Sequence, residues 1–186
     1  NQYLAMAGDT DATMSAEIRF VRALHYFLLM DGWGNIPFTL EPMTKPEQRS
    51  RAQMYEWLEQ ELIGIEPALS EAKAKKSTDA GYGRVDKAAC WLLLSRLYLN
   101  SEIYTGTAQW QKAKEYADKV IKSSYRLNTV GKGGWTAYQM LFMGDNGETD
   151  AAYEALLPLL QDGLTTTSWG TSLFLIAGCF DGEMHA

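Results

Sequence analysis

The stretch Trp91–Leu99, WLLLSRLYL, lies in register with an earlier one, Phe20–Leu28, FVRALHYFL. Phe20 stands against Trp91, Val21 against Leu92, Phe27 against Tyr98 and Leu28 against Leu99, an offset of 71 residues. Each stretch belongs to a longer run with apolar residues on one helical face. The first predicted helix covers Ile18 to Met30 through Val21, Leu24, Phe27 and Leu28, with Thr13 and Ser15 as N-cap candidates. A second runs from about Gln53 through Met54, Trp57, Leu58, Leu62 and Ile65 and stops or kinks near Pro67. The third begins near Val85, passes through Ala88, Ala89, Trp91, Leu92 and Leu94 to Leu99, and is apolar enough around its girth to lie centrally. The fourth, Trp110 to Ser123, carries a stripe of Trp110, Ala113, Ala117, Val120 and Ile121. Four helices in this order make two hairpins.

The 71-residue offset is about twice a tetratricopeptide unit, so long loops separate the elements. The second hairpin matches that repeat better. Leu94, Ser95 and Tyr98 occupy its Leu-Gly-x-x-Tyr positions, and Ala113 is the small residue that lets the returning helix approach. The predicted fold is therefore mainly α: tetratricopeptide-like hairpins over residues 1–125, followed by a loop-rich segment, 126–186, packed on them in the same domain. In that segment a short helical piece is expected near Trp135 to Phe142 and a strand or hairpin around Gln161 to Gly163. In YEALLPLL periodicity does not separate strand from helix, and Pro158 argues against a regular helix interior.

Composition narrows the function classes. With 186 residues, 46% of them hydrophobic, the chain can bury a substantial core. Its net charge of -6 carries no basic stripe, which argues against a nucleic-acid partner. Aromatic residues make up 12%, several of them in turn-like segments, where flat faces suit sugar stacking and helix packing alike. Cys90 and Cys179 show no metal-ligand spacing, and a disulfide between them stays open. No window approaches the roughly 20 apolar residues of a membrane helix. His25 and His185 are too isolated for a metal site, GKGGW lacks phosphate-loop spacing and reads as a flexible turn, and GDNGETD misses the EF-hand register. No pair of carboxylates is nominated for glycoside hydrolysis, and no Gly-x-Ser-x-Gly elbow appears. No enzyme activity, metal or cofactor is expected.

Three blocks resemble one family. AEIRFVRALHYFLLMDGWGNIPF is similar to the helix and turn near the front of the SusD/RagB family, with its Arg-Ala-x-x-Tyr-Phe run and aromatic-Gly-x-x-Pro turn. RVDKAACWLLLSRLYLNSEIYTGTAQWQKAKEYADKVIKSSYRL resembles that family's next hairpin, and EALLPLLQDGLTTTSWGTSLFLIAGCF its following strand-and-loop segment. The resemblance implies a tetratricopeptide scaffold carrying a non-catalytic glycan-binding surface. It implies a lipid-anchored protein on the outer face of a Gram-negative, Bacteroidetes-like outer membrane, a lid on a SusC-like TonB-dependent transporter that assists oligosaccharide or polysaccharide uptake. Family members are much longer and carry a lipobox cysteine. This chain begins at Asn1 without one and is expected to be an internal fragment.

In MDGWGNIPF the helix is expected to end near Met30 or Asp31, with Gly32 and Gly34 turning the chain and Trp33 packed beneath the corner. Glycan contacts fall to later loops: Trp135, Tyr138 and Trp169 as stacking faces, Asp145, Asn146, Gln161 and Asp162 as hydrogen-bonding groups for sugar hydroxyls. The alternative is a protein-interaction scaffold docked on the transporter, with a groove lined by Arg22, His25 and Arg96 and the sugar bound elsewhere.

Overall fold

A computed structural model of the chain describes residues 1–7 and 11–160. Six α-helices occur among them: α1 (Gln2–Ala7), α2 (Ala12–Trp33), α3 (Arg51–Ile65), α4 (Lys87–Leu99), α5 (Ser101–Thr105) and α6 (Trp110–Ile121). Single 3-10 turns lie at Glu66–Ala68, Gln139–Phe142 and Asp150–Glu154. Helices α2 and α3 pack as one hairpin and α4 and α6 as the other, with α4 also touching α2 and α3. The two-hairpin reading of the sequence holds, and so does the central place of α4.

The repeat is visible in burial. Phe27 and Tyr98 are both buried, Ala23 and its counterpart Leu94 are both buried, and Leu28 and Leu99 are both exposed. At the position where the repeat favours glycine, the Ser95 hydroxyl donates to the carbonyl of Ala113 at 2.9 Å, fastening α4 to α6 at their close approach. Two carboxylates, Glu59 in α3 and Glu66 just past its end, complete the second hairpin. Glu59 accepts from the Tyr98 hydroxyl at 2.7 Å and from Lys112 at 3.0 Å, and Glu66 accepts from the Trp91 indole at 2.7 Å and from Lys119 at 3.2 Å. Each set repeats one heptad along its helix, so three helices are held in one register. In the first hairpin Glu61 of α3 is buried between Arg19 and Arg22 of α2, at 2.6 and 2.8 Å. Burial alone would raise the Glu61 carboxyl, but the hydrogen bonds and charges of both arginines outweigh it and hold the group below the usual carboxylate range.

Several local expectations are corrected. The N-cap of α2 is Asp11, whose carboxylate accepts from the Met14 amide at 3.0 Å; Thr13 and Ser15 lie inside the helix. Helix α2 runs on to Trp33, so Gly32 is helical and Gly34, at φ 78°, makes the turn alone. Trp33 is 75% exposed and does not pack beneath the corner. Ile36 and Phe38 fill that space, carried by β1 (Ile36–Phe38), which pairs antiparallel with β2 (Glu47–Arg49). This small ribbon was not foreseen in the loop of the first hairpin, and Pro37 fits it because a two-stranded ribbon leaves free edges. On α6 only Ala113 of the proposed stripe is buried, while Trp110 and Ile121 are exposed. The helix is seated through Ala113, Tyr116 and its lysines, which lie on a different arc.

One buried carboxylate ties the segment before α4 and Tyr125, just past α6, to the first turn of α4. Asp86 is the N-cap of α4: one oxygen accepts from the Ala88 and Ala89 amides at 2.9 and 3.2 Å. The other accepts from the Lys73 amide at 3.1 Å and from the Tyr125 hydroxyl at 2.8 Å. Burial, and then the Asp86 charge and hydrogen bond, push the Tyr125 phenol up. From there the Ala74 amide donates to Ser124, Ser77 to the carbonyl of Gly147, and Lys76 pairs with Asp150 at 2.8 Å. Replacing Asp86 by alanine removes the cap and leaves the Tyr125 hydroxyl unpaired, and we expect a loss of roughly 3 kcal/mol in urea unfolding. A loss below about 1 kcal/mol would show that Asp86 is not a keystone.

Candidate functional site

Residues 126–142 form a closed loop, fixed first by Asn128. Its backbone amide donates to Glu154 at 2.8 Å, and its side-chain amide donates to the carbonyls of Ala137 at 2.8 Å and Val130 at 3.2 Å. Beyond it Lys132 and Trp135 exchange both backbone hydrogen bonds, at 3.1 and 3.0 Å, across Gly133 and Gly134. Both glycines have positive φ, 60° and 88°, as a two-residue hairpin turn of this hand demands. GKGGW is thus an ordered hairpin turn rather than a flexible one. Thr136 and Gln139 then cap each other: the Gln139 side chain accepts from the Thr136 amide at 2.9 Å, and the Thr136 hydroxyl accepts from the Gln139 amide at 3.3 Å. The helical piece expected from Trp135 is therefore shorter, a 3-10 turn at Gln139–Phe142.

This backbone holds aromatic side chains in water. Trp135 is 52% exposed, Tyr138 70% and Phe142 72%. Tyr138 and Phe142 meet edge to face with centroids 5.2 Å apart, a contact that favours this arrangement of the two rings. Phe142 was missed in the sequence reading, although its spacing four residues after Tyr138, without a partner stripe, was the available signal. Asp145 pairs with Lys132 at 3.1 Å. Asn146 donates its side-chain amide to the Leu141 carbonyl at 2.8 Å, and it lines a cavity of about 190 Å³ with Tyr82, Leu141, Glu154 and Pro158. Both polar groups are thus partly committed to holding the loop. Burial pushes the Tyr82 phenol up. Gln161, Asp162 and Trp169 lie outside the described residues.

The groove proposed for protein docking is not one groove. Arg22 and His25 face a cleft of about 500 Å³ beside Pro37 and Thr39, whereas Arg96 faces another of about 320 Å³ with Phe20, Leu24 and Leu157. Cys90 is buried, donates to the Leu62 carbonyl, and burial pushes its thiol up to about 12. Among the described residues no group of three or more His, Cys, Asp or Glu could hold a metal ion, and no helix is long and apolar enough to cross a membrane.

Over 176 residues the chain is 42% identical to the starch-binding protein SusD of Bacteroides thetaiotaomicron, a match that covers 92% of this chain. The chain belongs to the SusD family. It spans 30% of the length of that relative. Surface glycan-binding protein A from Bacteroides uniformis is 30% identical, with a TM-score of 0.55 over 69% of this chain and 29% of its own. A SusD-like protein from Bacteroides fragilis shares the fold at 19% identity, with a TM-score of 0.58 over 80% of this chain and 29% of its own. No protein-family model matches the chain.

Gly131 shows how tightly the loop is closed. A Cβ there would lie 2.4 Å from the Trp135 carbonyl oxygen, a backbone atom that cannot move without opening the turn. We expect Gly131→Ala to shift backbone amide resonances across residues 128–142 while leaving those of α2 and α3 in place. Unchanged resonances in the loop would contradict a preformed platform.

Proposed function

We propose that this chain captures glycans without catalysing any reaction on them, using the exposed aromatic surface around Trp135, Tyr138 and Phe142. The observation that carries the reading is that these rings stand in water on a loop whose backbone is already closed by hydrogen bonds. A ring held in place costs little entropy when a pyranose stacks on it. Asp145 and Asn146, on the loop that follows the rings, are proposed as groups for sugar hydroxyls, and Gln161, Asp162 and Trp169 belong to the same proposed set. The relatives support the class of ligand, since one is a starch-binding protein and another a surface glycan-binding protein.

Family membership supports a proposal for the wider setting. The whole protein would sit on the outward side of the outer membrane, held by a lipid anchor, and hand oligosaccharides to a SusC-like TonB-dependent transporter. Its chemistry is recognition: aromatic faces for affinity and polar groups for orientation, with no bond made or broken.

Calorimetric titration with maltoheptaose tests this, with laminarin oligosaccharides as the comparison. We expect saturable, enthalpy-driven binding of one glucan class. Each stacking ring contributes about 1 kcal/mol, so Trp135→Ala with Tyr138→Ala together weaken binding about tenfold or more. Unchanged affinity in the folded double variant would move the sugar site elsewhere. Silence toward both glucans would favour the docking scaffold.

A further inference from the structure

A second cleft, far from residues 135–142 in sequence, has the chemistry of a sugar subsite. It lies between β2 and α3, measures about 380 Å³, and is lined by Gln48, Arg49, Gln53, Glu56, Trp57 and Gln60, with Glu47 at its edge. That volume is within the range of small-molecule pockets. Gln53, Glu56, Trp57 and Gln60 share one face of α3, at spacings of three, four and seven residues. Such a face on a scaffold helix is expected to be solvated, but here β2 closes its side and an indole lies within it.

Three of the lining groups are held in place. The Gln53 side-chain oxygen accepts from the Ser50 amide at 2.9 Å in the capping box of α3, which leaves its NH₂ group to donate. The Arg49 guanidinium lies 3.8 Å from the centroid of the Phe38 ring. The Trp57 indole is packed edge to face by Phe38 and Tyr26, at 4.9 and 5.4 Å, and is half-buried. Gln48, Glu56 and Gln60 are exposed, and among the described residues their side chains have no hydrogen-bond or ion-pair partner.

The composition of the lining selects the ligand class. The Gln48 and Gln60 amides each offer a donor and an acceptor and Gln53 adds a donor, the pattern that vicinal hydroxyls match, since each hydroxyl also donates and accepts. Two carboxylates against one guanidinium disfavour an anion, and the polar walls disfavour an apolar molecule. An indole beside amides suits one apolar pyranose face with its equatorial hydroxyls at the rim. We propose that this β2–α3 cleft is a second carbohydrate-binding subsite, accepting a pyranose unit or two against Trp57, with Gln48, Gln60 and Arg49 binding its hydroxyls. The choice of sugar rests on the glycan reading above; the site itself does not use Trp135 or Tyr138. Two separated contacts on one scaffold would let a single long polysaccharide engage both, raising avidity without any new contact.

Nuclear magnetic resonance with maltose as the probe tests it, reading the Trp57 indole N–H and the Gln48 and Gln60 side-chain amides. We expect saturable shifts at these three groups that persist in Trp135→Ala/Tyr138→Ala, and a Trp57 indole shift that is lost in Gln48→Ala/Gln60→Ala, a variant that removes no internal hydrogen bond. Shifts confined to residues 135–142 would overturn the second site and leave the first in place. No shift at either place would overturn both.

Discussion

The arrangement depends on one buried carboxylate. Asp86 starts α4 and, with its second oxygen, receives the chain at Lys73 and again at Tyr125. Because α4 is the helix that touches α2, α3 and α6, a group that fixes its first turn also fixes where the connecting loops may run. Four donors on this one buried carboxylate satisfy both of its oxygens and offset the cost of burying it. The outward loop therefore inherits its position from the scaffold.

Ladders of polar contacts do for the second hairpin what apolar burial does for the first. Phe20, Phe27, Met30, Leu58 and Leu62 fill the α2–α3 interface, all of them buried. Helix α6 buries little, and Glu59 and Glu66 reach it through Lys112 and Lys119, whose ammonium groups also stand 5.0 and 5.5 Å from the Tyr98 and Trp91 rings. Exposed ion pairs are individually weak, but here each carboxylate also accepts from an aromatic donor of α4. The result is a scaffold that carries exposed aromatic rings outside its core.

The helices and their pairing were legible because a 3.6-residue period survives in WLLLSRLYL and FVRALHYFL whatever the loops do. The elements that were misread depend on competition between neighbours. Trp33 looked like a corner residue because it sits between the two glycines of the turn, but Ile36 and Phe38, two and four residues past Gly34, are the buried ones. The stripe of α6 looked like a core face, yet the approach set by Ser95 and Ala113 turned Trp110 and Ile121 outward. Asp11 capped α2 in place of Thr13 or Ser15 because the helix starts earlier than its apolar face. For the site, Trp135 and Tyr138 were recognisable as aromatics without a helical stripe to join. The commitment of Asn146 to its own loop was not, since it depends on the Leu141 carbonyl being within 2.8 Å.

Preformation links the scaffold to recognition. Gly133 and Gly134 shape the turn, Thr136 and Gln139 cap it, and Asn128 ties it back, all through bonds within the chain. A crystal structure of the chain with maltoheptaose examines this most directly. The expected result is a glucose ring stacked on Trp135 or Tyr138 with the backbone of residues 128–142 displaced by less than about 1 Å, as in preorganised complexes. Sugar density absent from that surface, or a loop rebuilt around the ligand, would contradict it.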